Sequence, residues 1–212
     1  MKKEFSARPE TISKEFLKNS GGFPWQEFVL GFPALVFLVT GWKKNGKENA
    51  CLQSWAAFGG SGDEYICVMP SHKGGHMYKS LKKTGVCVLN FPSRDVFDRC
   101  IKTIGNNQYE TDEITAAGLT AEKASVVDAP RIKECFLNIE CEFLWEHKGL
   151  VAVKAVNICM DSDRYDHNKL GRYGKTGLLY QIHCPTNPET GEIAPSGPGI
   201  IEQGDEIAWN TK

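Results

Sequence analysis

The sequence predicts a mainly β protein with a few inserted helices, its strands antiparallel and curled into a barrel. Three observations carry that expectation. Apolar runs of strand length recur at residues 34–40, 65–69 and 86–91. The segment Lys43-Lys44-Asn45-Gly46-Lys47 supplies the Asn-Gly signal of a tight hairpin. Residues 137–145 place Leu137, Ile139, Cys141, Phe143 and Trp145 on one side of a period-two pattern, with Asn138, Glu140, Glu142 and Leu144 on the other. Parallel pairing would demand a crossover helix after each strand, and the pattern holds too few helices for that.

Residues 1–30 carry aromatics at Phe5, Phe16, Phe23, Trp25 and Phe28 without a clean period, and read as an arm. Pro33 opens the strand 34–40, the Asn-Gly turn returns it into 48–54, and the glycine-rich stretch 59–63 reads as a loop before the strand 65–69. A short helix over 76–83 would bury Met77 and Leu81. The strand 86–91 follows, then a helix capped by Ser93 in which Phe97, Cys100, Ile101 and Ile104 recur at helical spacing until Gly105 ends it. Glu146-His147-Lys148-Gly149 turns the strand 137–145 into a further strand over 150–159. From Pro185 onward the Pro- and Gly-rich sequence excludes a regular element and reads as an extended tail, with Ile200, Ile201, Ile207 and Trp209 as apolar handles for docking, on a second subunit for instance. The expected organisation is an arm at 1–30, one barrel domain at 31–184 and a tail at 185–212.

Composition narrows the function classes. A chain of 212 residues that is 41% hydrophobic can bury the core of one domain. With 25 basic and 26 acidic side chains the net charge is −1, which leaves no extended positive surface for a nucleic-acid backbone. No apolar run approaches the length of a membrane span, and the start Met-Lys-Lys-Glu-Phe-Ser has no continuous apolar signal region, so a cytoplasmic protein is expected. Eight cysteines without a Cys-x-x-Cys pair, several of them inside apolar strands, read as free thiols rather than as a disulfide or metal framework. His72 and His76 would share a helical face, but no third ligand lies within that turn, and no metal site is expected.

The chemistry concentrates between residues 49 and 78. Ser71, His72 and Lys73 follow a strand and precede Gly74, Gly75 and a helix start, so main-chain N–H groups and one lysine could face a phosphate. Upstream, Asn49, Gln53 and Ser54 bring amides and a hydroxyl suited to the edge of a flat polar ring, and Trp55 and Tyr78 bring aromatic surface. A dianionic tail joined to a planar ring describes flavin mononucleotide, FMN. Each residue has a plainer alternative: Asn49 as a hairpin residue, Trp55 as core, Lys73 as a solvated charge, His76 as a helix-surface histidine, Tyr78 as a half-buried helix residue. Asn90 is read as satisfying backbone groups at a strand end. The segment Gly171-Arg172-Tyr173-Gly174-Lys175-Thr176 matches only the end of a nucleotide-triphosphate loop, because Lys169 stands where the first glycine belongs.

The run Pro33-Ala-Leu-Val-Phe-Leu-Val-Thr, then Asn49 with Ser54-Trp55, then Ser71-His72-Lys73, then Gly85-Val-Cys-Val-Leu-Asn90, resembles the flavin reductase-like, flavoredoxin-type family. That resemblance implies an antiparallel split β-barrel that binds FMN noncovalently and pairs as a homodimer, taking electrons from NAD(P)H or from a redox protein. Carried over by position, Asn49, Cys51, Gln53, Ser54 and Trp55 would line phosphate and ring, the turn of Ser71, His72 and Lys73 would hold the phosphate, and His76 and Tyr78 would lie near the flavin. No general acid or nucleophile of the protein is required. Many relatives carry a proline pair where this chain has the 59–63 stretch. The rival readings are a non-enzymatic FMN carrier between redox proteins and a cofactor-free β-barrel.

Overall fold

Strand β2 (Phe37–Trp42) is apolar at every position through Val39 because both of its faces are covered. Phe37 and Val39 point into one core with Met69, Leu89, Phe91, Val151 and Val153, while Leu38 points into a second core with Val96, Phe97, Cys100 and Ile114. The computed structural model describes residues 2–165 and 177–201. The cluster of Arg172, Tyr173 and Lys175 and the tail residues Ile207 and Trp209 lie outside the described residues.

Contacts divide the chain into two compact units, Leu35–Leu179 with Ile200–Lys212, and Met1–Ala34 with Tyr180–Gly199. The larger unit is built on a seven-stranded sheet. Besides β2 it contains β3 (Glu48–Gln53), β4 (Ala57–Ser61), β5 (Glu64–Pro70), β6 (Val86–Phe91), β9 (Leu137–His147) and β10 (Leu150–Met160), in the order β3-β2-β6-β9-β10-β5-β4. The pairings in this sheet are antiparallel. The order starts at β3 and ends at β4, so no ladder closes the sheet between these two sequence neighbours; the barrel is split there. Two helices follow the sequence reading. Helix α3 (His76–Thr84) buries Met77 and Leu81 in the first core, and α4 (Arg94–Gly105) packs on the second.

Several expectations are corrected. Residues 59–61 are not loop but the end of β4, paired with β5 around the turn at Gly62-Asp63; the glycines hid the strand because Gly60 has no side chain to alternate, and a Cβ there would lie 1.8 Å from the Glu64 carbonyl oxygen. The buried face of α4 is Val96, Phe97, Cys100 and Thr103, while Ile101 and Ile104 are exposed. In β9, Asn138 and Glu140 are buried rather than solvated, and Trp145 is 42% exposed. The reversal has a cause: the Glu140 carboxylate accepts bonds from the main-chain N–H groups of Ser125, Val126 and Val127 at 2.7–3.0 Å and from Asn157 Nδ2, pinning a loop onto the sheet. Asn90 does satisfy backbone, donating to Leu38 and Val88 carbonyls and accepting from Ile132 N–H.

In the smaller unit the expected irregular arm holds α1 (Lys14–Asn19), capped by Ser13 Oγ accepting from Phe16 N–H, and α2 (Trp25–Leu30), ended by Gly31 in the left-handed region. Each is six residues long, too short for a period to show in sequence. Phe28 is fully buried against the Phe16 and His183 rings. The expected tail is also partly regular: Thr186 N–H donates to the Phe28 carbonyl, Thr186 bridges Ile193 around a turn, and β12 spans Gly197–Ile201.

Candidate functional site

Along β3, Asn49, Cys51 and Gln53 lie opposite Gly41, Val39 and Phe37 of β2, so all three point to the face that α3 covers. The edge N–H groups of the same strand are capped: Glu48 N–H by Asp112 Oδ1 at 3.1 Å and Ala50 N–H by Glu113 Oε2 at 2.8 Å, carboxylates brought by the helix α5 (Glu113–Ala116) and its cap. Of the three inward residues, Asn49 is buried with its Nδ2 unpartnered, an uncompensated donor among the described residues. Cys51 is half-buried, and burial, then the nearby Glu113, push its thiol up to about 11, so it is neutral.

Gln53 spans the split of the barrel. Its Nε2 donates to the Pro70 carbonyl at 3.2 Å, while its Oε1 accepts from the N–H groups of Ser54 and Trp55 at 3.1 and 3.4 Å. One side chain therefore ties the end of β3 and the Ser54-Trp55 turn to the end of β5, which is where the Ser71 turn begins. Ser54 is buried and Trp55 half-buried.

The turn from Ser71 to Gly75 is built for close approach. Ser71 N–H donates to the Gly149 carbonyl at 2.8 Å, and its buried Oγ has no hydrogen-bond partner. His72 is exposed and its Nδ1 accepts from Gly74 N–H at 3.2 Å; a Cβ at Gly74 would lie 2.8 Å from that ring. Gly75 caps α3 without a side-chain bond, and the first turn of α3 holds no acidic residue. The helix start thus keeps its outward N–H groups and positive end for an anion.

Lys73 is exposed and pairs with Glu146 of β9 at 3.0 Å. Tyr78 Oη donates to the same carboxylate at 2.7 Å, with Lys82 at 3.8 Å. The Tyr78 bond and then Lys73 hold the Glu146 carboxyl below its ordinary range. His76, the first residue of α3, points elsewhere: its Nδ1 lies 3.4 Å from Glu113 Oε1, and its ring packs edge-on against Tyr109. The structure accordingly brings together Gln53, Ser54, Trp55, Ser71, His72 and Lys73 at the split, with Tyr78 reached through Glu146, and places His76 at the Glu113 side. Glu146 and Glu113 were not foreseen from sequence; each lies on an element far along the chain, and only tertiary pairing reveals it.

Residues 29–182 match the family described as the flavin reductase like domain. The chain belongs to the flavin reductase-like family. A protein of unassigned function from Methanothermobacter thermautotrophicus is 27% identical over 171 residues, covering 68% of this chain and 81% of that protein. Among solved structures, the flavoredoxin of Desulfovibrio vulgaris (Miyazaki F) superposes with a TM-score of 0.70 at 17% identity, covering 84% of this chain and 92% of that one. Component B of nitrilotriacetate monooxygenase from Bacillus cereus superposes with a TM-score of 0.74 at 15% identity, covering 98% and 100%. At such identities the superpositions show the fold, the split barrel of flavin reductase-like proteins. Membership of this family supports a flavin as the cofactor.

All eight cysteines are free thiols, no group of metal-ligating side chains gathers among the described residues, and no described helix is long and apolar enough to cross a membrane.

Proposed function

We propose that this flavin reductase-like chain binds FMN at the split of its barrel and serves as a cytoplasmic oxidoreductase, accepting electrons from NAD(P)H or a redox protein. The observation that carries the reading is Ser71 Oγ: a buried hydroxyl without a partner, opening the turn that leads into a helix start that no side chain caps. Those residues fit a terminal phosphate. Ser71, the N–H groups that open α3 and Lys73 would hold it, Lys73 exchanging its contact with Glu146 for the more highly charged anion. The turn of Ser54 and Trp55, fixed by Gln53, would flank the ring, with Asn49 and Cys51 behind it; His72 and Tyr78 complete the proposed set, and His76, turned to Glu113, stays outside it. Bound there, a flavin supplies hydride and single-electron transfer, and the protein supplies orientation and charge.

The flavin-binding domain in this reading spans residues 31–184, and the functional unit is a homodimer. The exposed Leu144, Trp145 and Leu150 at the tip of the β9–β10 hairpin support self-association, which sedimentation checks. The absorption spectrum of the purified protein and anaerobic titration with NADH and NADPH test the function. Flavin bands that bleach on titration are expected; a protein that takes up no FMN contradicts it.

A further inference from the structure

A cavity of about 310 Å³ opens beside α3, on the Glu113 side rather than at the split. His76, Lys79, Ser80 and Lys83 come from α3, Lys44 from the β2–β3 hairpin, and Tyr109, packed edge-on against His76, completes this wall. Its wall is mostly apolar, lysine stems and an aromatic ring, so the cavity is greasy inside and cationic around it.

Two features of the cavity are unexplained by folding alone. Lys79 and Lys83 are like charges one helical turn apart, with Lys44 close enough that Lys83 Nζ reaches its carbonyl at 3.5 Å. Among the described residues none of the three has a carboxylate within ion-pair distance. Glu113, a carboxylate near the cavity, is taken up by Lys43, His76 and Ala50 N–H. Independently, Ser80 is among the lining residues though only 3% exposed, and its buried Oγ has no hydrogen-bond partner. An apolar slot with a free buried hydroxyl and surplus positive charge is complementary to an organic anion with a flat apolar body.

We infer that this cavity binds a small aromatic anion, its carboxylate or phosphate against Lys44, Lys79 and Lys83 and its ring beside Tyr109, with Ser80 meeting a polar substituent. His76, the first residue of α3, lines this cavity, while Ser71 and Lys73 of the proposed phosphate cradle do not.

The test is calorimetric titration with salicylate, with neutral salicylamide and with inorganic phosphate, on the protein as purified and after saturation with FMN, the flavin spectrum being followed throughout. Saturable salicylate binding at submillimolar concentration, unaffected by FMN, is expected, with salicylamide at least 10-fold weaker. The double variant Lys79→Gln/Lys83→Gln should weaken salicylate at least 10-fold and Ser80→Ala a few-fold, with the thermal midpoint and the flavin spectrum unchanged. Phosphate binding of equal strength would identify the source as a phosphate ester; its absence would favour a carboxylate. No saturable binding of either anion up to about 10 mM, salicylate binding indifferent to the lysine pair, or mutual exclusion with FMN would each overturn the assignment. A protein without flavin that still binds salicylate upholds this site and removes only the flavin reading.

Discussion

The Lys43 ammonium lies 2.7 Å from the Glu113 carboxylate with both side chains 1% exposed. Lys43 also donates to the Gln108 and Thr111 carbonyls, and Glu113 caps Ala50 of the edge strand and reaches His76. A single buried pair therefore locks the β2–β3 hairpin, α3 and the segment before α5. Removing one partner leaves the other charge buried and uncompensated. Glu113→Ala is expected to lose about 3–5 kcal/mol of unfolding free energy in chemical denaturation. A loss below about 1 kcal/mol would show the pair to be solvated in solution.

Glu140 should set part of the acid limit of stability. Burial alone would raise its carboxyl, but the N–H groups of Ser125, Val126 and Val127 and the Asn157 amide prevail and hold it below the ordinary range. Its folded value lies below the unfolded value of about 4.3, so the stabilisation is present above that pH and is lost as pH falls through the folded value. Glu140→Gln should cost about 2–4 kcal/mol near neutrality and flatten the acid limb of a stability-against-pH curve. An unchanged acid limb would refute this role.

The buried thiols act at the other end of the scale. Burial pushes Cys51 up to about 11 and Cys67 up to about 12. Both raise the folded value above the unfolded thiol value of about 8.5, so stability is complete below that pH and declines as pH rises beyond it. At pH 8 native protein should alkylate at these two positions at least 10-fold more slowly than unfolded protein, read by mass spectrometry of labelled peptides. Equal rates would mean that the barrel interior opens readily.

Gly60 tests the β4–β5 hairpin. A Cβ there would lie 1.8 Å from the Glu64 carbonyl oxygen, a backbone atom that cannot step aside alone. Gly60→Ala is expected to destabilise by about 1–3 kcal/mol in thermal unfolding, whereas Gly59, with open space beside it, should tolerate alanine.

Elements with strong local patterns were legible in the sequence. The Asn45-Gly46 hairpin, the two-faced apolar strand β2 and the Met77/Leu81 face of α3 stand where the sequence places them. So does the succession of chain segments around the split, because Ser71, Gly74 and Gly75 announce a turn into a helix. What failed to show depends on partners distant in sequence. Glu140 looks solvent-facing until residues 125–127 fold over it, β4 carries glycines that mask its pairing, and Ile101 and Ile104 fit the helical period yet face outward. Gln53 shows a related limit: its type suggested a ligand contact, and the structure engages its amide in joining the two banks of the split.

The phosphate cradle is tested most directly by titrating flavin-free protein with FMN and with riboflavin under the same conditions and following flavin fluorescence. If Ser71, the start of α3 and Lys73 hold the terminal phosphate, FMN binds at least 100-fold more tightly than riboflavin, and Ser71→Ala and Lys73→Ala each reduce that ratio several-fold. Equal affinity for the two flavins, or no binding of either, would contradict a phosphate site at that turn.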